Sequence, residues 1–228
     1  MICEEKQVSL YIYKGGWPVN TKIDSIIDPG FDLPCPGPIG CECRTNLDCD
    51  NQNCSAHPKG NYCVPKAGDL VPRFESIDQF GEGVDLYDFA NQGKMILIEL
   101  SATWCSPCND LASWLATNDQ KIRKNPWWKD RYLPIRDMIK NGEIYLVNFM
   151  FETDKVNKVT ATPDDVAEWY KKYPDPHVPV LADEYRFIHS WVKPTGLPCI
   201  FLIDENMRII NYTNRGLTDA FLYLTKPM

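Results

Sequence analysis

The stretch Met95-Ile-Leu-Ile-Glu-Leu-Ser-Ala-Thr-Trp-Cys-Ser-Pro-Cys-Asn-Asp-Leu-Ala-Ser-Trp-Leu115 decides how this chain is read. Residues 95–100 form an apolar run broken only by Glu99, the pattern of a strand buried on both faces. From Cys108 onward, Leu111, Trp114 and Leu115 recur at helical spacing. Cys105 and Cys108 therefore stand where a buried strand turns into a helix, one turn apart, so that a disulfide between them closes a short loop. Pro107 suits the first helical turn, where its missing N–H would have no intrahelical partner. The free N–H groups and the macrodipole at a helix start stabilise negative charge, and the thiolate is the reactive form of cysteine. Cys105 is thus expected to attack first, and the shielded Cys108 to act second.

A C-x-x-C pair alone can also be half of a zinc site or a plain structural disulfide. Zinc would call for a second such pair, which the sequence lacks. The strand before the pair and the amphipathic helix after it favour redox use.

Working outward, residues 144–151 (Ile-Tyr-Leu-Val-Asn-Phe-Met-Phe) read as a second central strand. Thr162 followed by Pro163 opens a helix to about residue 173. Residues 178–181 form a short strand, and 199–203 and 207–212 a hairpin across Asp204-Glu-Asn206, before a closing helix at 217–224. This alternation of strands and helices predicts an α/β fold with a mixed central sheet. Residues 119–143, with Pro126-Trp127-Trp128, read as an irregular insertion. The Trp127-Trp128 pair could line a substrate groove, but packing of the insertion explains it more simply.

Three divisions follow: an extension at 1–34, a cysteine-rich module at 35–66 and a main domain at 67–228. The extension opens with an apolar stretch at 8–13 that reads as a strand, followed by turns. In the module, Cys35, Cys41, Cys43, Cys49, Cys54 and Cys63 are set among Gly, Pro and Asn with few aliphatic residues. Such a segment cannot build a core, so covalent staples are expected to replace one. Three disulfides in an oxidising compartment fit this spacing better than a zinc site using His57. Fifteen pairings remain open. His57, His177 and His189 are scattered and form no ligand pattern, so no metal is expected.

The net charge of -7 argues against nucleic acid as a partner. No window approaches the roughly 20 apolar residues that cross a bilayer. The start lacks a signal peptide, so the sequence is read either as a mature form with an added start or as unexported. Cysteine usage favours export. Cys3 reads equally as a lipid-modified first residue or as an incidental thiol.

Residues 67–220 resemble the thioredoxin superfamily, in particular its TlpA/ResA-like exported thiol–disulfide oxidoreductases. Beside the C-x-x-C, the resemblance is carried by Gly68-Asp-Leu-Val-Pro-Arg-Phe74, Val84-Asp-Leu86, Val178-Pro-Val-Leu-Ala-Asp183 and Gly196-Leu-Pro-Cys-Ile-Phe-Leu-Ile-Asp204. It implies a thioredoxin-like fold and exchange of the dithiol/disulfide pair with protein substrates, more readily as a reductase. No cofactor beyond the redox-active disulfide is implied, and a membrane or soluble redox partner would recharge it in the periplasm or cell envelope. It also implies a cis-proline at Leu197-Pro198, with substrate contacts from Trp104, Ser106, Pro107, Leu197 and Pro198. Two residues depart from the pattern. Cys199 replaces the threonine usual after the cis-proline; it reads as a small buried core residue, or as a third redox thiol near the active pair. Glu99 stands where the exported branch often has asparagine and thioredoxins hold a buried aspartate. Its burial should raise its pKa, making it the candidate acceptor of the Cys108 proton. A structural ion pair or a solvent-facing position is the plainer reading.

Two other functions were weighed. A peroxiredoxin would need proline and a hydroxyl residue at the positions of Ile98 and Ala102. A non-enzymatic binding protein using the cysteine-rich module is opposed by the retention of both C-x-x-C cysteines.

Overall fold

The computed structural model describes residues 12–31, 33–213 and 218–226. The cysteines of the small module pair as Cys35–Cys41, Cys43–Cys54 and Cys49–Cys63. They staple an antiparallel hairpin of β1 (Cys54–His57) and β2 (Gly60–Cys63) to the loop before it. Cys43, Cys49 and Cys63 are the one close group of three metal-capable side chains among the described residues, and their sulfurs are held in these bridges. The module sits against the main domain: a Cβ on Gly40 would lie 3.3 Å from the Ser190 carbonyl, and Lys193 Nζ lies 4.6 Å above the Tyr62 ring.

A second hairpin, β3 (Glu75–Ile77) and β4 (Gly83–Asp85), precedes the central strand β5 (Ile96–Ala102), every residue of which is buried. Helix α1 (Ser106–Thr117) follows, then α2 (Pro134–Lys140), β6 (Tyr145–Asp154), β7 (Val159–Thr160) and α3 (Pro163–Lys172). The chain closes with β8 (Val180–Ala182), α4 (Phe187–Val192), β9 (Cys199–Ile203), β10 (Ile209–Asn211) and α5 (Thr218–Leu224). The main sheet runs β10-β9-β5-β6-β7, with β8 also on β6. β5, β6 and β8 are mutually parallel, and β9 returns antiparallel to β5. This is an α/β, thioredoxin-like fold with a disulfide-rich module at its N-terminal side.

Alternation along the strands splits the core in two. Ile96, Ile98, Leu100, Cys199, Phe201 and Ile203 fill one face, and Leu97, Ile200 and Leu202 fill the other, against α1. At roughly 25 cal/mol per Å² of apolar surface, filling both faces of the sheet is the dominant stabilising term.

One expectation needs correction. Residues 119–143 are ordered rather than irregular: they hold α2 and short 3-10 turns at Gln120–Lys124 and Asp130–Tyr132. The cause is aromatic packing, since Trp128 meets Trp114 at 4.9 Å between ring centroids and Tyr132 at 5.8 Å, covering the outer side of α1. Trp128 thus belongs to the core. In the extension, the strand read at 8–13 lies outside the described residues up to residue 11, as does Cys3. The described part holds a 3-10 turn and no strand. It is fastened by side chains: Tyr13 donates to Asp88 Oδ2 at 2.6 Å and Trp17 Nε1 to Asp78 Oδ2 at 2.8 Å.

Candidate active site

Cys105 takes the N-cap position of α1 in extended conformation, and its Sγ accepts the backbone N–H of Cys108 at 3.2 Å. The two cysteines form a disulfide. Cys105 is 3% exposed and Cys108 is fully buried, so the first sulfur is the one nearer solvent. Ser106 and Pro107 occupy the first two helical positions, where proline costs no hydrogen bond. α1 therefore presents its free N–H groups and positive dipole end to Cys105, the arrangement that favours a thiolate there once the pair is reduced.

The peptide Leu197-Pro198 is cis, and Leu197 packs against the apolar cluster that contains both cysteines. Trp104 is half-buried; its Nε1 donates to Glu152 Oε1 at 3.1 Å, and Glu152 is also paired with Arg186. Lys155 Nζ lies 4.8 Å from the Trp104 ring centroid.

Glu99 is 1% exposed and paired in register with Asn148 on β6 and Ile200 on β9. It forms no ion pair with any described residue. Asn148 Nδ2 donates to Glu99 Oε2 at 2.8 Å, and Ser101 Oγ donates to Asn148 Oδ1 at 2.7 Å. Burial lifts the Glu99 pKa from its ordinary 4.5 to about 8, with the Asn148 bond opposing the rise. A carboxyl group there can hold or release a proton near neutrality. Glu99 lines a small cavity with Ala112 of α1, which stands four residues after Cys108 on the same side of the helix.

Cys199 is buried on the face of the sheet opposite α1, with Sγ 3.9 Å from the Thr213 carbonyl, and burial pushes its pKa up to about 12. It is a core residue, turned away from the redox pair. His189 is half-buried and packs on Phe151, 4.3 Å between centroids, and desolvation together with Arg186 lowers its pKa to about 3.

Several site residues escaped the reading of the sequence. Asn109 ties the C-x-x-C turn to α3: its Nδ2 donates to the Thr103 and Cys105 carbonyls, and its Oδ1 accepts from Tyr173 and Lys172. Nothing in its sequence context marks it. Asn148 was open to the logic applied to Glu99, being the lone amide in an apolar strand. Glu152 and Arg186 meet only through the fold.

No protein-family model matches the chain, and no curated protein matches it. Similar solved structures exist. The thioredoxin domain of a thiol–disulfide oxidoreductase from Bacteroides vulgatus aligns at 20% identity and TM-score 0.45, covering 71% of this chain and 96% of that one. A thiol:disulfide interchange protein from Bacteroides sp. aligns at 20% identity and TM-score 0.46, covering 70% and 87%. A hypothetical protein from Sinorhizobium meliloti 1021 aligns at 17% identity and TM-score 0.49, covering 65% and 70%.

Proposed function

We propose that this protein is an exported thiol–disulfide oxidoreductase of TlpA/ResA-like type that reduces disulfides in protein substrates. The observation that carries the reading is the position of Cys105: a sulfur at the N-cap of a 12-residue helix, bonded to a partner buried one turn in. In the reduced protein the Cys105 thiolate attacks a substrate disulfide, forms a mixed disulfide and expels one substrate thiolate. Cys108 then loses its proton, with Glu99 as acceptor, and attacks Cys105 Sγ. The second substrate thiolate leaves, the pair is oxidised and the substrate is reduced. A dithiol partner, membrane-bound or soluble, must return two electrons. Trp104, Ser106, Pro107, Leu197 and Pro198 are the proposed substrate-contacting set, a reading supported by Trp104 and Leu197 packing against the apolar cluster that holds both cysteines. The three bridges of the module support an oxidising compartment, which for a bacterial protein is the periplasm or cell envelope. No described helix is long and apolar enough to cross a membrane.

The test is a pair of variants. Cys105→Ser should abolish reduction of a protein disulfide, while Cys108→Ser should accumulate covalent partners through Cys105. Normal turnover by Cys105→Ser refutes the assignment. The direction is read from the reduction potential of the pair: a value near that of thioredoxin, about -270 mV, supports the reductase, and one near -120 mV reverses it.

A further inference from the structure

Beneath the redox pair, Glu99, Ala112, Asn148, Trp169, Tyr173 and Asp175 enclose part of one cavity. Two of these side chains are carboxylic acids with a buried oxygen that has no protein partner: Glu99 Oε1 and Asp175 Oδ2. An unpaired buried polar atom costs about 1–3 kcal/mol, so two lining the same space call for a common explanation. The cavity offers about 20 Å³ to a water-sized sphere, which suits a single water and no organic ligand.

The other oxygens are accounted for. Glu99 Oε2 accepts from Asn148, and Asp175 Oδ1 accepts the backbone N–H of His177 at 3.0 Å. The charged surroundings are sparse. α1 contributes Ala112 and Leu115, β6 contributes Asn148, β8 contributes Val180 and α3 contributes Trp169. The remaining titratable lining residue, Tyr173, turns its hydroxyl to Asn109 Oδ1 at 2.6 Å. Glu99 and Asp175 are therefore the two acids of this space, and they sit at different depths. Glu99 is in the central strand, whereas Asp175 lies in the loop after α3 between the exposed residues Pro174 and Pro176.

We propose that a water in this cavity joins the two carboxyl groups and that Asp175 passes the proton of the resolving step between Glu99 and solvent. The proposal rests on the reading of Glu99 as the acceptor of the Cys108 proton and adds the route by which that proton leaves. Cys108 S–H gives its proton to Glu99, Glu99 hands one to the water, the water hands one to Asp175, and Asp175 releases it to bulk. No electrons move in these steps. The need for an exit is physical: a buried acid that titrates near neutrality must shed one proton before accepting the next, and its strand neighbours Ile98 and Leu100 offer no path. Asp175 is a positioning residue, acting through Glu99 and the water.

The experiment uses the reduced full chain and an aromatic disulfide that releases one coloured thiolate on Cys105 attack and a second on resolution. Asp175→Asn keeps the acceptor for His177 and removes the acid; Asp175→Ser is run beside it in case the amide variant misfolds. Resolution is expected to slow about tenfold, within the usual range of general acid–base contributions, while the first release stays unchanged. The solvent deuterium isotope effect on the resolving step should grow in Asp175→Asn, because proton exit from Glu99 then limits that step. A wild-type resolving rate overturns the relay. Slower resolution with an unchanged isotope effect assigns Asp175 a packing role and overturns it too. Glu99→Gln separates the two levels: if that variant resolves normally, the underlying reading of Glu99 has failed, whereas if it is slow and Asp175→Asn is not, only the relay has.

Discussion

Replacing Glu99 by Gln should make the protein more stable, and by an amount that grows with pH. The folded chain holds the Glu99 proton up to about pH 8, while the unfolded chain releases it near 4.5. Between those values the folded state binds more protons than the unfolded one, so stability falls as pH rises. The contribution is fully present below 4.5, declines across the window and is gone above about 8. Each pH unit inside the window costs about 1.4 kcal/mol. Over the whole interval from 4.5 to about 8 the loss is roughly 5 kcal/mol. At pH 7 about 3 kcal/mol of it has been lost. Glu99 is fully buried, so solvent screening gives no reason to discount the figure. Gln keeps the size of Glu and can accept from Asn148 through its carbonyl. Its amide can donate toward the cavity, where Asp175 has a free acceptor. The assay is urea unfolding of the oxidised protein at about pH 5, 7 and 9, with slopes checked for constancy. The variant should lie within about 1 kcal/mol of wild type at about pH 5 and exceed it by roughly 3 kcal/mol at neutrality. Asp183, whose pKa burial raises to about 6, contributes equally to both proteins and drops out of the difference. A constant gap between the two curves at all three pH values would refute the claim that Glu99 is buried and protonated.

Two further outcomes test the parts around the site. Cys49–Cys63 closes the longest loop of the module, with a sequence separation of 14; replacing both by Ala should cost roughly 3 kcal/mol, read as a lower urea midpoint of the module, and an unchanged midpoint would show that the staple is dispensable. Cys199, buried with its thiol pKa near 12, should resist alkylation in the native reduced protein and label only on unfolding; labelling as fast as that of Cys105 would contradict its place in the core.

What the sequence made legible follows from how local each signal is. The strand–turn–helix at residues 95–117 is a local pattern, with apolar continuity, a proline in the first turn and helical spacing all within about twenty residues, and the structure places β5 and α1 there. The Asp204-Glu-Asn206 hairpin is equally local. Glu99 stood out because a charge in an apolar strand is costly wherever that strand lies. Residues 119–143 were harder. Their order comes from Trp128 meeting Trp114 across the helix face, a long-range contact with no periodicity of its own. Asp175 was invisible for a related reason: between two prolines it reads as a loop acid, and only the fold sets it against the same cavity as Glu99. Cys199 was legible as a small buried core residue despite its sequence proximity to Pro198, and alternation along β9 sets its side chain in the core on the face away from α1.

The polar residues under the redox pair form a directional ladder, and its direction matters for the chemistry. Ser101 Oγ donates to the Asn148 carbonyl, which leaves the Asn148 amide to donate onward to Glu99 Oε2. A donor at Oε2 discourages a proton on that oxygen, so the proton of the neutral acid is directed to Oε1. Oε1 is the oxygen without a protein partner, on a side chain that lines the cavity shared with Ala112 and Asp175. The ladder thus selects which oxygen exchanges protons and keeps the other engaged in both protonation states. Each rung lies inside an otherwise apolar core, where polar groups destabilise unless satisfied. A sheet built only for stability would carry aliphatic side chains at residues 99, 101 and 148. Polar residues concentrated at these adjoining positions, beneath the strand–helix junction that carries the cysteine pair, suit the role proposed for Glu99 as proton acceptor for the second cysteine.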